Sequence, residues 1–171
     1  MKTDTEIDAD VEMDECKDID PYFMRQNNMD KRIVDFLSEH HVATLATIRR
    51  DCAPYCCNIF YAYAPEKRPV IFSSDSATAH VSHFTINDRV AASVVVESKT
   101  IGRLQGSQLT GRIIKPEGQI LTEARKHYLK RFPFAIAIPI ELWIMTIETV
   151  KHTDNKLGFG KKLTWDRYIP F

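Results

Sequence analysis

Six short segments between residues 42 and 150 have the apolar and β-branched residues of strands, and in the first of them, VATLATIR, apolar and polar residues alternate with the two-residue period of a half-buried strand. Turn-forming residues separate several of these segments, as in Arg50–Pro54 and Ala64–Pro69. Val90–Ser98, which reads VAASVVVES, has the strongest strand pattern of the chain. The predicted strands are Val42–Arg49, Tyr55–Tyr63, Val70–Ser74, Val90–Ser98, Leu104–Ile114 and Leu142–Val150.

Three further segments have apolar residues at helical spacing, and polar residues that can act as caps precede the first two. The predicted helices run from Asn28 or Asp30 to about His41, from Ala77 to about Ile86, and from Glu117 to Lys130. We interpret the closing segment Leu157–Phe171, which is rich in Gly, Lys and aromatic residues, as a tail.

The order of these elements predicts a mainly β (α+β) fold. Short loops join most neighbouring strands, which favours antiparallel pairing, and the regular strand–helix alternation of a doubly wound sheet is missing. Closure into a small barrel would remove the exposed edges of such a sheet. We therefore expect a six-stranded antiparallel barrel with peripheral helices.

Charge divides the 171 residues into two parts, although 23 basic and 23 acidic residues cancel overall. Residues 1–20 hold nine acidic residues and two lysines, a net charge of −7, with few large apolar side chains. We predict a flexible acidic segment over residues 1–27 and one folded domain over residues 28–171. Because the domain is only mildly basic, an anionic small molecule suits it better than a nucleic acid.

Apolar runs such as Val90–Val96 are too short to span a bilayer, and the N-terminus has no signal-peptide pattern. We expect a soluble cytoplasmic protein without membrane contact. The four cysteines then read as reduced thiols, and adjacent Cys56 and Cys57 point to opposite faces of a strand. His80 and His83 share a helical face, but further ligands at metal-binding spacing are missing, so we predict no metal site.

The segment from Val70 to Val95 contains the clearest candidate for ligand binding. A strand ends in Ser73 and Ser74, and the helix that follows begins near Thr78 and His80. Hydroxyl groups, free backbone N–H groups and the positive end of a helix dipole can together bind a phosphate. A plain capped helix after a strand would have the same sequence, and this alternative stays open.

The order and spacing of several motifs resemble the FMN-binding split-barrel family, whose best-known member is pyridoxamine 5'-phosphate oxidase. The resemblance spans roughly Lys31 to Arg167 and is similar in detail to a small, poorly characterised bacterial branch. The motifs that carry it are FLSEHHVATLATI, PYCCNIFYAY, VIFSSDSATAHVSHFTINDRVAASVV, LQGSQLTG and GFGKKLTWDR. The resemblance implies a split barrel that forms a homodimer, with FMN at the subunit interface and an oxidoreductase activity on an unknown substrate.

The family's cofactor-binding residues can be placed on this sequence one by one. The resemblance implies that Ser73, Ser74, Thr78 and His80 hold the FMN phosphate. The flavin ring would lie along Cys57, Asn58 and Ile59, with Gln105, or Gln108 as its rival, near the ring. Trp165 and Arg167 would close the site.

The position between Thr78 and His80 also belongs to the family's phosphate-binding set, and this sequence departs from the family pattern there and at Cys57. Ala79 replaces an arginine that grips phosphate in a bidentate manner, and Cys57 replaces an arginine of the oxidase. The missing charge would have to come from elsewhere, and the candidates are Lys99, Arg103, Lys161 and Lys162. Flavin chemistry requires no protein acid or base, so no catalytic residue is assigned.

Two alternatives use the same barrel. A haem-binding or haem-degrading protein would need an axial ligand, for which His127 or His152 is available in the sequence. A dimer without cofactor, which has kept the fold and lost the site, is consistent with Ala79.

Overall fold

The computed structural model describes residues 28–158 and 160–167. The predicted acidic segment, residues 1–27, lies outside the described residues, so its flexibility and its boundary stay predictions. Seven strands are present in the described part, namely β1 (Val42–Ile48), β2 (Pro54–Tyr63), β3 (Pro69–Ser73), β4 (Arg89–Val96), β5 (Gln105–Ile114), β6 (Leu142–Asp154) and β7 (Lys162–Asp166). Three α-helices accompany them, α1 (Lys31–Glu39), α2 (Ala79–Phe84) and α3 (Gly118–Arg131).

The first six strands close into an antiparallel barrel in the order β3-β2-β1-β4-β5-β6, because β6 also pairs with β3. The predicted fold class is thus confirmed. The closing pair is short, since it runs only from Pro69–Thr146 to Ser73–Leu142. Beyond Thr146, the same edge of β6 pairs with β7, from Thr149–Asp166 to Thr153–Lys162.

The sequence prediction was wrong on two strand limits at this edge. β6 continues four residues beyond the predicted end at Val150, and β7 lies within the segment interpreted as a tail. Five residues after a Gly-rich stretch give too little alternation to identify a strand. β7 forms because β3 leaves the second half of the β6 edge unpaired, which is a property of the topology.

One end of the barrel is closed by α1. Asp30 caps this helix by accepting a 2.9 Å hydrogen bond from the backbone N–H of Arg32. The predicted stripe of Ile33, Phe36 and Leu37 is buried in the barrel core. The hydroxyl of Tyr61 on β2 donates to the carbonyl of Leu37 at 3.0 Å, which fixes the end of the helix against the barrel.

The opposite end of the barrel is closed by α2. Val81 and Phe84 point into the core, and the Phe84 ring lies 4.8 Å from the Trp143 ring, measured between centroids. The helix begins at Ala79, two residues later than predicted, because the Asp75 carboxylate accepts from the backbone N–H of Ala77 at 2.7 Å. This turn holds residues 75–78 outside the helix.

A second, smaller core lies outside the barrel, under α3. Ala124 and Tyr128 of α3 pack with Ile71 of β3 and with Leu142 and Ile144 of β6. On the outer face of β2, β1 and β4, in contrast, large apolar side chains stay exposed, namely Val42, Ile48, Phe60 and Val95. Within the described residues, we find no helix that is long and apolar enough to cross a membrane.

Candidate functional site

Three polar side chains from the candidate phosphate segment meet where β3 ends, and we call Ser74, Thr78 and His80 the Ser74 cluster. The Ser74 hydroxyl lies 2.5 Å from Nε2 of His80 and 3.2 Å from the Thr78 hydroxyl. The Thr78 hydroxyl lies 3.3 Å from the same imidazole nitrogen. All three residues are half-buried, so they are partly shielded and still within reach of a ligand.

The backbone around Ser74 is fixed from two sides, which positions the cluster. Its N–H donates to the carbonyl of Glu141 at 3.1 Å, and its carbonyl accepts from the indole N–H of Trp143 at 3.0 Å. The Thr78 hydroxyl donates to the carbonyl of Asp75 at 2.7 Å, which closes the loop between β3 and α2. The cluster is therefore assembled by the end of the barrel rather than by α2 alone.

His80 enters the cluster as a neutral group at pH 7. Burial lowers the pKa of His80 below its ordinary value, and the nearby His83 lowers it further. A neutral imidazole donates one hydrogen bond and accepts another, so His80 acts as a hydrogen-bonding partner with little charge of its own. Because α2 has only six residues, its dipole adds little to anion binding. The hydroxyls and the imidazole are therefore the groups of this cluster that could hydrogen-bond to an anion.

The three ring-contact residues implied for β2 do not share a face. The Ile59 side chain lies in the barrel core, and Cys57 is half-buried and packs against that core. Burial raises the pKa of the Cys57 thiol, which is therefore protonated at neutral pH. Asn58 points outward, is exposed, and accepts from the Thr44 hydroxyl at 3.1 Å.

β2 is the neighbour of β3, at whose end the Ser74 cluster lies. The strands β2 and β3 pair from Tyr63–Val70 to Tyr61–Phe72, after which they separate. Counting two residues further along this register places Ser74 at the level of Ile59. The pairing of β2 with β3 thus ends before it reaches the residues implied by the family on either strand.

The outer face of the barrel carries a continuous polar row that begins at Asn58. Pairing between neighbouring strands connects its members in a line from β2 to β6, and all of them are exposed. They are Asn58, Thr44, Ser93, Gln108 and Lys151. The rival glutamine, Gln108, thus lies in the row of Asn58, whereas Gln105 does not.

Gln105 and Trp165 lie far from the Ser74 cluster within one subunit. Three residues of β6 mark the distances: Leu142 is paired with Ser73, Val150 with Trp165, and Asp154 with Gln105. Leu142 and Asp154 are the two ends of the 13-residue strand β6, about 40 Å apart along the strand. Trp165 is only 4% exposed and packs in the core under the guanidinium of Arg68, so it is not open to a ligand in the single subunit.

The cations nominated from the sequence lie in the same distant region. Arg103 lies two residues before Gln105, and Lys162 is the first residue of β7. Both side chains are exposed. Sequence reasoning missed Lys115, which follows β5 at the end where α2 lies. Its Nζ is 3.8 Å from Oε2 of Glu141, whose other oxygen accepts from the Ser76 hydroxyl at 3.0 Å. In the sequence, Lys115 is recognisable only as a lysine that directly follows a predicted strand. Its position near Glu141 depends on the pairing of β5 with β6.

The two histidines considered as haem ligands differ in access. His152 is 1% exposed, and its Nδ1 lies 2.9 Å from the Ser107 hydroxyl inside the barrel, so a ligand cannot reach it. His127 is half-buried and lines a cavity of about 470 Å³ beside α3. Across the described part of the chain, no group of three or more His, Cys, Asp or Glu residues is arranged to hold a metal ion.

A six-stranded antiparallel barrel that opens between β3 and β7 is the architecture of the split-barrel class of proteins. The sequence profile of the pyridoxamine 5'-phosphate oxidase family matches residues 29–154, and the chain belongs to this family. The resemblance described from the motifs is thereby confirmed.

Relatives and solved structures agree with this assignment. A UPF0306 protein of Photorhabdus laumondii is 34% identical over 132 residues, which cover 77% of this chain and 92% of that protein. A structure titled as a heme binding protein from Mycobacterium smegmatis has a TM-score of 0.67 at 18% identity, with 78% of this chain and 57% of that chain covered. A structure titled as a FAD-binding protein from Mesorhizobium loti has a TM-score of 0.61 at 18% identity, with 71% and 90% covered. At these identities the two structures establish a shared fold.

Proposed function

We propose that the protein is an FMN-binding flavoprotein, an oxidoreductase whose substrate is a small molecule of unknown identity. The observation that carries the proposal is the Ser74 cluster, in which two hydroxyls and an imidazole converge in a half-buried place at the end of β3. Membership of the pyridoxamine 5'-phosphate oxidase family supports a flavin as the ligand.

The residues present fit a phosphate, although they suggest moderate affinity. Ser74 can turn its hydroxyl from His80 to a phosphate oxygen, and His80 can donate its own N–H. The Thr78 hydroxyl, which donates to the carbonyl of Asp75, fixes the loop beside them. Ala79 supplies no guanidinium, so the bidentate contact of the family pattern is lost. In this proposal Lys115 offsets the negative charge of Glu141, whose carboxylate would otherwise repel the phosphate.

When bound, FMN supplies the transfer of a hydride or of electrons. The role of this chain is to bind and orient: the Ser74 cluster holds the phosphate end, and Asn58 with Gln108 offers hydrogen bonds along the polar row.

The proposal includes a homodimer with the cofactor at the interface. The exposed apolar side chains on the outer face of β2, β1 and β4 are of the kind that subunit interfaces bury. A dimer could also bring Gln105 and Trp165 of the second subunit toward the Ser74 cluster, which they do not reach within one subunit. We expect Val95→Glu, at a position 63% exposed, to yield monomers in sedimentation analysis. The control Ile136→Glu, beside α3 at 73% exposure, should stay dimeric, and two dimeric variants would contradict this interface.

The absorption spectrum of the protein as isolated, and after addition of FMN, tests the cofactor. A yellow protein with the bands of oxidised flavin supports the proposal. A Soret band supports haem in its place, and the variant His127→Ala should then lose that band. A colourless protein that takes up neither FMN nor haem would establish a barrel that has lost its cofactor.

A further inference from the structure

The segment between α3 and β6, residues 132–140, exposes large apolar side chains from an anchored backbone. It reads Phe-Pro-Phe-Ala-Ile-Ala-Ile-Pro-Ile and contains no charged residue. Its first part, Pro133–Ala137, is a 3-10 helix, in which residues three apart share a face. Phe132 and Ala135 are buried in the second core and anchor this helix. The large side chains that point outward are Phe134, Ile136 and Ile138, which are 72%, 73% and 52% exposed.

Aromatic contacts hold the start of this segment against the rest of the protein. The Phe132 ring lies 4.9 Å from the Tyr128 ring of α3 and 6.1 Å from the Phe60 ring of β2, measured between centroids. It also contacts the exposed Phe134 ring at 6.1 Å. The backbone N–H of Ala135 donates to the carbonyl of Phe132 at 3.1 Å. The outward apolar side chains are therefore held in place, and exposed apolar side chains grouped in this way mark an interaction site.

Four cations lie in about the last two turns of α3, directly before the segment. All are exposed, and within residues 28–158 and 160–167 none of them forms an ion pair. They are Arg125, Lys126, Lys130 and Arg131.

Acidic residues do not offset this positive charge, since residues 124–140 contain none. Glu123, which precedes this stretch, is paired with Lys67 at 2.7 Å. Glu141, which follows it, lies 3.8 Å from Lys115. Both bordering carboxylates thus face other lysines, and the cations of α3 are left to interact with an anionic partner.

Exposed apolar side chains beside uncompensated cations suit the surface of an anionic lipid bilayer. Apolar side chains enter the boundary between headgroups and acyl chains, while cations stay at the level of the anionic headgroups. A second copy of this chain fits the same surface less well, because a two-fold interface would place the four cations against their own copies. A nucleic acid would use the cations and leave the apolar side chains in water.

We propose that residues 132–140 bind the protein to the surface of anionic lipid bilayers. Phe134, Ile136 and Ile138 enter the interface, and the cations of α3 contact the lipid headgroups. Such a contact requires no spanning segment, although the sequence led us to expect no membrane contact. It does not depend on the cofactor, because the segment contains no residue of the Ser74 cluster.

Sedimentation with lipid vesicles tests this contact on the full chain. Two kinds of vesicle are compared, pure phosphatidylcholine and an equal mixture of phosphatidylcholine with phosphatidylglycerol. We expect the protein to bind the mixed vesicles at least about tenfold more tightly, and this preference to shrink as the salt concentration rises. No binding to the mixed vesicles, or equal binding to both kinds, would overturn the proposal.

A double variant, Phe134→Ser with Ile136→Ser, tests the apolar part of the contact. We expect it to weaken binding to the mixed vesicles at least about tenfold, because two large side chains no longer enter the interface. The matched control, Ile86→Ser with Ile101→Ser, changes residues that are 65% and 67% exposed elsewhere, and it should bind as the natural protein does. All four side chains are mostly exposed, so both variants should keep the natural Tm closely. Equal losses of binding in the two variants would overturn the proposal.

A second pair of variants tests the charges. Lys126→Gln with Lys130→Gln should weaken binding to the mixed vesicles about tenfold, because two cations no longer face the headgroups. Lys99→Gln with Lys162→Gln removes the same charge from exposed positions outside α3, and it should have a much smaller effect. Equal effects would mean that net charge alone drives binding, and would overturn the assignment to this surface.

Sedimentation without vesicles distinguishes the bilayer from a second copy of the chain. The variant Phe134→Ser with Ile136→Ser should keep the oligomeric state of the natural protein. Its conversion to a smaller species would mean that a second copy covers the segment, and would overturn the proposal.

Discussion

The two ends of the barrel contain the same pair of residue types in different surroundings. At the α2 end, His80 lies against Ser74, and both residues are half-buried. At the α1 end, His152 lies 2.9 Å from Ser107, and both are almost fully buried. Each imidazole has its pKa lowered mainly by burial. Access to solvent, rather than the residue types or their hydrogen bond, separates a candidate binding site from a structural pair.

The largest difference between the two ends should be in stability. His152→Ala would create a cavity beside the Phe36 ring, whose centroid lies 4.8 Å away, and would leave the Ser107 hydroxyl buried without its partner. We expect the free energy of unfolding to fall by about 3 kcal/mol. His80→Ala should cost less than about 1 kcal/mol, because water can replace the half-exposed ring. Urea unfolding followed by circular dichroism measures both, and equal losses would contradict the comparison.

Ligand binding should depend on the α2 end of the barrel, where substitutions cost the least stability. We expect Ser74→Ala combined with His80→Ala to weaken FMN binding at least about tenfold, roughly 1.4 kcal/mol, because phosphate would lose two of its hydrogen-bonding partners. Ser82→Ala is the matched control, since this exposed α2 serine donates to the carbonyl of Ala79 and points away from the cluster. Flavin fluorescence quenching gives the dissociation constants. If the double variant binds as the natural protein does, the phosphate lies elsewhere.

The pH dependence of stability should depend on His152, the buried histidine at the α1 end of the barrel. Burial lowers the pKa of His152, and Arg32 lowers it further, while Asp154 and Asp30 act in the opposite direction. The unfolded chain, in which histidine has a pKa of about 6.5, then takes up protons before the folded protein does. Stability is therefore complete above about pH 6.5 and declines as the pH falls. We expect His152→Gln to lose less Tm than the natural protein between about pH 7.5 and pH 5, and identical losses would show that His152 does not contribute.

The smallest effect concerns the cation beyond the Ser74 cluster. Lys115→Gln should weaken FMN binding by about threefold, roughly 0.6 kcal/mol, because a partly exposed charge acts through solvent. Lys126→Gln on the exposed side of α3 should leave the affinity unchanged. Raising the salt concentration should reduce the Lys115 effect further, since solvent-exposed charges are screened. An affinity that Lys115→Gln leaves intact at low salt would remove Lys115 from the site.

Much of the barrel could be predicted from the sequence, since one buried face per strand imposes a two-residue period. The pattern of Val90–Ser98 predicted β4, and the apolar stripe of Ile33, Phe36 and Leu37 predicted the buried face of α1. β7 could not be predicted, because its pairing depends on where β3 leaves the edge of β6. Short strands of this kind are defined by their neighbours more than by their own residues.

The candidate site was predictable where it is local in sequence. Ser74, Thr78 and His80 lie within seven residues, so a strand followed by a helix had to bring them near one another. The choice between Gln105 and Gln108 depends on strand register, which links Gln108 to Ser93, Thr44 and Asn58. The position of Lys115 depends on the pairing of β5 with β6. Contacts set by pairing between distant strands leave little trace in a single sequence.

A comparison of FMN with riboflavin tests the central claim most directly, because the two ligands share the ring and differ in the phosphate. If the Ser74 cluster holds the phosphate, the natural protein should bind FMN at least about tenfold more tightly than riboflavin. The variant with Ser74→Ala and His80→Ala should bind the two ligands with nearly equal affinity. A preference for FMN that survives in this variant would contradict the account.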